Sequence, residues 1–124
     1  MKQMRTLNPK GECLFCDIVS GKREEKIVYE DERFMAFHDI NPSAPVHFLI
    51  IPKEHISIKS SEVGKKEAIL GSVFTLARDI AEKMGVGDSY KLLVNAGQSA
   101  TVSPDHLHVH LIGGWKSPTK VEYL

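Results

Sequence analysis

The run His106-Leu107-His108-Val109-His110-Leu111-Ile112 leaves this chain few ways to fold. On a β-strand successive side chains point to opposite faces and each residue advances ~3.3 Å, so the three imidazoles would share one face at intervals of roughly 6.6 Å. Leu107, Val109 and Leu111 would occupy the other face and pack a core. The imidazole side needs partners, a ligand or a metal, because buried polar rings without hydrogen bonds are costly.

The chain has 124 residues and 42% hydrophobic content, enough for one domain with a core and too little for two. Sixteen basic and sixteen acidic residues cancel, so no overall field draws the chain to nucleic acid or to an anionic membrane. An anion must therefore be held by a local site. No apolar run approaches the ~20 residues of a membrane span, and the start Met1-Lys2-Gln3-Met4-Arg5 lacks the apolar core of a secretion signal. A cytoplasmic location is expected. The two cysteines, Cys13 and Cys16, stand in a Cys-x-x-Cys spacing, open to structural zinc, free thiols or redox use. Two thiols do not complete a tetrahedral zinc site, and the missing pair would come from the six histidines: His38, His47, His55, His106, His108 and His110.

Along the chain, residues 1–12 read as a flexible arm, 13–115 as the domain and 116–124 as a tail. Leu14, Phe15, Ile18 and Val19 are spaced for a short helix that Gly21 would end. Ile27-Val28-Tyr29 and Phe34-Met35-Ala36-Phe37 flank a polar turn, the pattern of an antiparallel hairpin. Asn41-Pro42-Ser43-Ala44-Pro45 is a loop, and Val46-His47-Phe48-Leu49-Ile50-Ile51 is apolar enough for a central strand that Pro52 stops. A long helix is expected from about Gly64 to Met84, then a strand from Tyr90 to Asn95, a small-residue loop through Pro104, and the histidine strand, broken by Gly113-Gly114. The order predicts an α+β fold: a mainly antiparallel five-stranded sheet with one long helix and a short N-terminal helix.

Neither glycine-rich phosphate cradle occurs, so side chains must meet any phosphate. An imidazole with a pKa near ~6.5 can be an uncharged nucleophile while a neighbour donates a proton. His108, with a partner on each side, is the natural nucleophile on geometry alone. The same three histidines could instead chelate one zinc ion, or form an inert strand. His38, standing alone, reads as an ordinary partly buried histidine.

These residues resemble the histidine triad family, whose signature is His-x-His-x-His followed by apolar residues. The likeness is to its nucleotide-binding branch, the purine nucleoside phosphoramidases. It runs without gaps from about Leu14 to Gly114 and includes Phe37-His38-Asp39-Ile40, the segment from His47 to Lys53, and the triad itself. The resemblance implies hydrolysis of purine nucleoside 5′-phosphoramidates or related nucleotidyl conjugates at the α-phosphate. His108 would form a nucleotidyl-histidine, His110 would hydrogen-bond a phosphate oxygen, Ser103 would pass a proton to the departing amine, and His47 would support the triad. Asn95 would line the same pocket, and Asp39 would hold the ribose hydroxyls. Leu14, Phe15, Ile18, Phe37, Ile40 and Leu49 would sandwich the purine, though Leu49 and Ile18 read better as plain core, and Phe15 and Ile40 as base contacts.

The resemblance further implies a structural zinc on Cys13, Cys16, His55 and His106, with no metal required for the chemical step. It implies a homodimer formed through the long helix and the strand from Tyr90. Alternatives are a non-catalytic nucleotide-binding module, a zinc-dependent hydrolase, and a dinucleoside polyphosphate hydrolase. The family's Gly-Gln before the loop serine is replaced here by Thr101-Val102, followed by Ser103, Pro104 and Asp105. Pro104 has no N–H to offer phosphate, and Asp105 is expected to bring a negative charge toward the anion site.

Overall fold

The computed structural model describes residues 13–39, 41–96 and 105–116. The expected arm, the loop from Gly97 to Pro104 with Ser103 in it, Ile40, and residues 117–124 of the tail lie outside the described residues. The elements are α1 (Leu14–Ser20), β1 (Ile27–Glu30), β2 (Phe34–His38), β3 (Val46–Pro52), α2 (Ser60–Val63), α3 (Glu67–Lys83), β4 (Tyr90–Val94) and β5 (Val109–Gly113). The strands form one sheet in the order β1-β2-β3-β5-β4, every neighbouring pair antiparallel. This is the α+β architecture expected, with β3 in the centre. No helix among the described residues is long and apolar enough to cross a membrane.

Local chemistry explains the ends of the elements. Gly21, at φ +87°, closes α1 by donating its N–H back to the helix, a left-handed cap that costs glycine no Cβ clash. Asp31 turns the β1–β2 hairpin: its Oδ1 accepts the N–H groups of Arg33 and Phe34, both at 2.7 Å. Pro52 is the last residue of β3 rather than a stop beyond it, and pairs with Phe34 on β2. The long helix begins at Glu67, three residues later than expected, because the chain first makes the single turn α2 and then breaks at Gly64 and Lys65.

The sheet separates two cores by the alternation of its strands. On one face, Phe34, Ala36, Phe48, Ile50, Val109 and Leu111 meet Val73, Ala77, Ile80 and Ala81 of α3. On the other, Met35, Phe37, Leu49 and Ile51 meet Phe15 and Ile18 of α1. His110 pairs with Leu49, and Ile112 with His47, so both histidines belong to this second face.

The histidine strand itself needs correction. The ladder starts at Val109, so only His110 is in β5, and His106 and His108 lie in the run just before it. Continued pairing would set Leu107 opposite Pro52, which has no N–H to give. Leu107 instead donates to the Ile56 carbonyl at 2.7 Å, and the His106 carbonyl is taken by the His108 ring at 2.8 Å.

Candidate active site

The run from Asp105 to His108 is held by the loop after β3. Asp105 Oδ1 accepts hydrogen bonds from Ser57 Oγ and from the Ile58 N–H, each at 2.8 Å. Its carboxylate is thus engaged in joining two loops, which corrects the expectation that it faces the anion site. Together with the Leu107–Ile56 bond, this latch brings His55, on the same loop, beside His106: their ring centroids are 5.0 Å apart.

Each ring's hydrogen bonds define its tautomer. His108 donates Nδ1–H to the His106 carbonyl at 2.8 Å, which leaves Nε2 as a lone pair. That atom is buried and has no hydrogen-bond partner among the described residues. His47 sits diagonally across the ladder from His110. Its Nδ1 accepts the Ser43 N–H at 2.9 Å, so its Nε2 carries the proton and donates to His110 Nδ1, also at 2.9 Å. His110 must then carry its own proton on Nε2, beside His108: the two rings are 5.3 Å apart, nearly perpendicular. Asp39 Oδ2 lies 3.4 Å from His47 Nε2 as a second acceptor, while its Oδ1 accepts the Asn41 N–H.

Burial decides the charge state of this group. Loss of solvation pushes His47 and His108 below the usual imidazole range and His110 down to about 4, against the opposing pull of Asp39. For His110 the neighbouring His108 and His47 push the same way. The rings are neutral at pH 7, so a lone pair on one histidine stands next to an N–H on another. Such a pair can attack an electrophile and at the same time donate to the oxygen on which charge develops.

A separate cluster is built from Cys13, Cys16, His55 and His106, whose donor atoms all lie within 4.8 Å of one another. His106 Nε2–H donates to the Pro52 carbonyl at 2.9 Å, turning its unprotonated Nδ1 toward the sulfurs at 3.3 and 3.6 Å. His55 Nδ1 is 3.2 Å from Cys16 Sγ. Tetrahedral zinc with ordinary bond lengths sets sulfur and nitrogen about 3.5 Å apart, so the donor set fits. Burial and the adjacent Cys13 push the Cys16 thiol up to about 12, a cost that a cation on the thiolate would offset. The orientation of His106 by a carbonyl is the usual support for a ligating histidine.

Among the described residues the triad does not converge as one ligand set: His106 groups with the thiols, His110 with Asp39 and His47. Phe15 packs on both His106 and His108, its ring 5.7 Å from His106, 5.2 Å from His108 and 6.0 Å from Phe37. Phe15, Ile18, Phe37 and Leu49 are buried, Leu14 and Asn95 half-buried. His38 is exposed, with its ring against Phe48 at 4.8 Å, because the alternation of β2 turns it to the sheet's far side at the strand end. Sequence reasoning missed the backbone groups, the Ser43 N–H and the carbonyls of Pro52 and His106, since any residue supplies these and only the fold aims them.

Over residues 20–117 the sequence matches the family described as HIT domain. The chain belongs to the HIT domain family. A HIT family hydrolase from Clostridium thermocellum is 42% identical, with a TM-score of 0.80 over 94% of this chain and 99% of that one. A HIT family hydrolase from Legionella pneumophila is 36% identical, with a TM-score of 0.78 over 85% of this chain and 95% of that one. A HIT-like protein of Synechocystis is 38% identical over 82% of this chain and 89% of its own length. The resemblance carried by His106, His108 and His110 is thereby borne out at the level of the HIT family.

Proposed function

We propose that this HIT domain chain hydrolyses purine nucleoside 5′-phosphoramidates or related nucleotidyl conjugates at the α-phosphate, releasing a nucleoside monophosphate. The observation that carries the reading is the His108 Nε2 lone pair, buried and without a hydrogen-bond partner among the described residues. Leaving such an atom unpaired costs ~1–3 kcal/mol, which a substrate atom arriving there would recover. The hydrolase names of the Legionella and Clostridium relatives agree with it.

In this reading His108 Nε2 attacks phosphorus and the bond to the amine breaks. His110 Nε2–H hydrogen-bonds a non-bridging phosphate oxygen, its orientation fixed by His47. Ser103 protonates the leaving amine, and water then cleaves the phosphorus–nitrogen bond to restore the ring. Asp39 holds the ribose hydroxyls, Asn95 lines the pocket, and Leu14, Phe15, Ile18, Phe37, Ile40 and Leu49 surround the purine. Four of these apolar residues are buried, so the base meets their edges rather than open rings.

Cys13, Cys16, His55 and His106 would hold a structural zinc ion, which would supply a cross-link between α1, the loop after β3 and the triad run. The chemical step is assigned to the protein's own groups. The catalytic domain spans 13–115, in a cytoplasmic protein. Pairing of two copies is supported by β4, an edge strand whose residues are all half-buried, and by Phe74 on α3, 47% exposed.

The test is a rapid-quench pulse with radiolabelled adenosine phosphoramidate, followed by peptide mapping. Label on His108 in the native chain, still formed with a chelator present, at whatever rate, and absent in His108→Ala, is the expected result. Bound nucleotide with neither label nor product would identify a binding module instead, and turnover abolished by chelation would point to a zinc hydrolase. A dinucleoside polyphosphate turned over faster than the phosphoramidate would reassign the leaving group.

A further inference from the structure

We propose that the thiol–imidazole cluster governs the chemistry through Phe15 and the His106 carbonyl: filling it with a divalent cation fixes the His108 ring, so occupancy sets turnover rather than the hold on phosphate and ribose. The proposal rests on His108 being the nucleophile, and it assigns Phe15 as a positioning residue.

The two clusters are one residue apart in the chain and share two physical links. The first is His106 itself. Its Nδ1 faces both sulfurs, while its backbone carbonyl accepts His108 Nδ1–H at 2.8 Å and so leaves Nε2 as the free lone pair. A shift of the His106 backbone moves its ring and its carbonyl together. The second link is Phe15, which lies between the two cysteines on α1 and packs its ring on His106 and His108 together. Any movement of α1 that separates the sulfurs also moves the aromatic wall behind the nucleophile.

Apart from the thiols, helix α1 is held by its packing on Met35, Phe37, Leu49 and Ile51. Seven residues are too few for a helix to be stable alone, and its buried residues are Phe15 and Ile18. Cys13 caps it, accepting the Cys16 N–H at 3.3 Å. A cation joining both thiols to His55 and His106 would tie this short element to two loops and to the triad run at a single point. The residues that meet phosphate and ribose in the proposed function, His110, His47 and Asp39, belong to a separate hydrogen-bonded set on β3 and β5. Loss of the cation therefore reaches the attacking ring and leaves the phosphate and ribose groups in place.

The experiment uses the full chain with 15N-labelled histidine, first loaded with one equivalent of zinc and then stripped by chelation. Long-range proton–nitrogen spectra of the resting protein read the His108 ring directly. With zinc, Nδ1 should show the protonated and Nε2 the unprotonated signature, and stripping should average the two. Formation of nucleotidyl-His108 should slow about ten-fold or more, while the dissociation constant for ribose 5-phosphate, which lacks the base that meets α1, changes less than about two-fold. His55→Gln, which removes the one exposed ligand, should reproduce the stripped state. Phe15→Leu should show averaged His108 signals with zinc still bound at one per chain. His108 signals unchanged on stripping and in Phe15→Leu would overturn the proposal, as would a loss confined to nucleotide affinity. If no nucleotidyl-histidine forms in any state, the function reading fails while the ring spectra still decide the coupling.

Discussion

At His47 one proton has two acceptors, His110 Nδ1 at 2.9 Å and Asp39 Oδ2 at 3.4 Å. The shorter bond decides the tautomer of His110. Removing it in His47→Ala should lower kcat by about 10–100-fold, with a smaller effect on KM, because the His110 N–H that the proposed function assigns to phosphate would no longer be fixed. Steady-state kinetics separate the two parameters, and an effect on KM alone would contradict the assignment. Burial at these rings also makes stability depend on pH. His110 is held at about 4 in the folded chain, below the ~6.5 of an exposed imidazole. Between those values the unfolded chain binds more protons, so stability is complete above about pH 6.5 and falls as pH drops toward 4. His47 and its lowered value act in the same direction. Urea midpoints should be lower at pH 5 than at pH 7.5, and His110→Gln should narrow the difference without removing it, since burial also holds His106 down at about 4; equal midpoints in the native chain would refute it.

Elements show where sequence carried the argument and where it failed. The β1–β2 hairpin, the central β3 and both main helices were legible because periodicity and turn residues are local signals. The start of β5 was not, since it depends on Pro52 lying across from Leu107 and on Ile56 offering a carbonyl instead, both long-range facts. Asp105 misled for the same reason: its charge was visible, but not the Ser57 and Ile58 donors that hold it. The cluster of Cys13, Cys16, His55 and His106 was legible only through resemblance, since spacing alone gave two cysteines and left their partners open. Gly21 was the clearest local signal and gives a direct test. At φ +87° an alanine would be strained by about 1–2 kcal/mol whatever the space around it. Denaturant unfolding of Gly21→Ala should show that loss, and an unchanged midpoint would mean the cap is not formed.

The whole molecule is a single sheet with unlike faces. Ile50, fully buried on the α3 side, should cost ~2–5 kcal/mol when truncated to alanine. Leu92 is half-buried at the sheet edge, and the same truncation there should cost visibly less; equal losses would show that the core is not centred on α3. None of the residues that fill the α3 side belongs to either histidine cluster. A lineage can therefore rewrite the chemistry on one surface while inheriting its foundation unchanged on the other. Within β3 and β5 the two demands alternate residue by residue, His47 and His110 facing away from the side that Phe48, Ile50, Val109 and Leu111 fill.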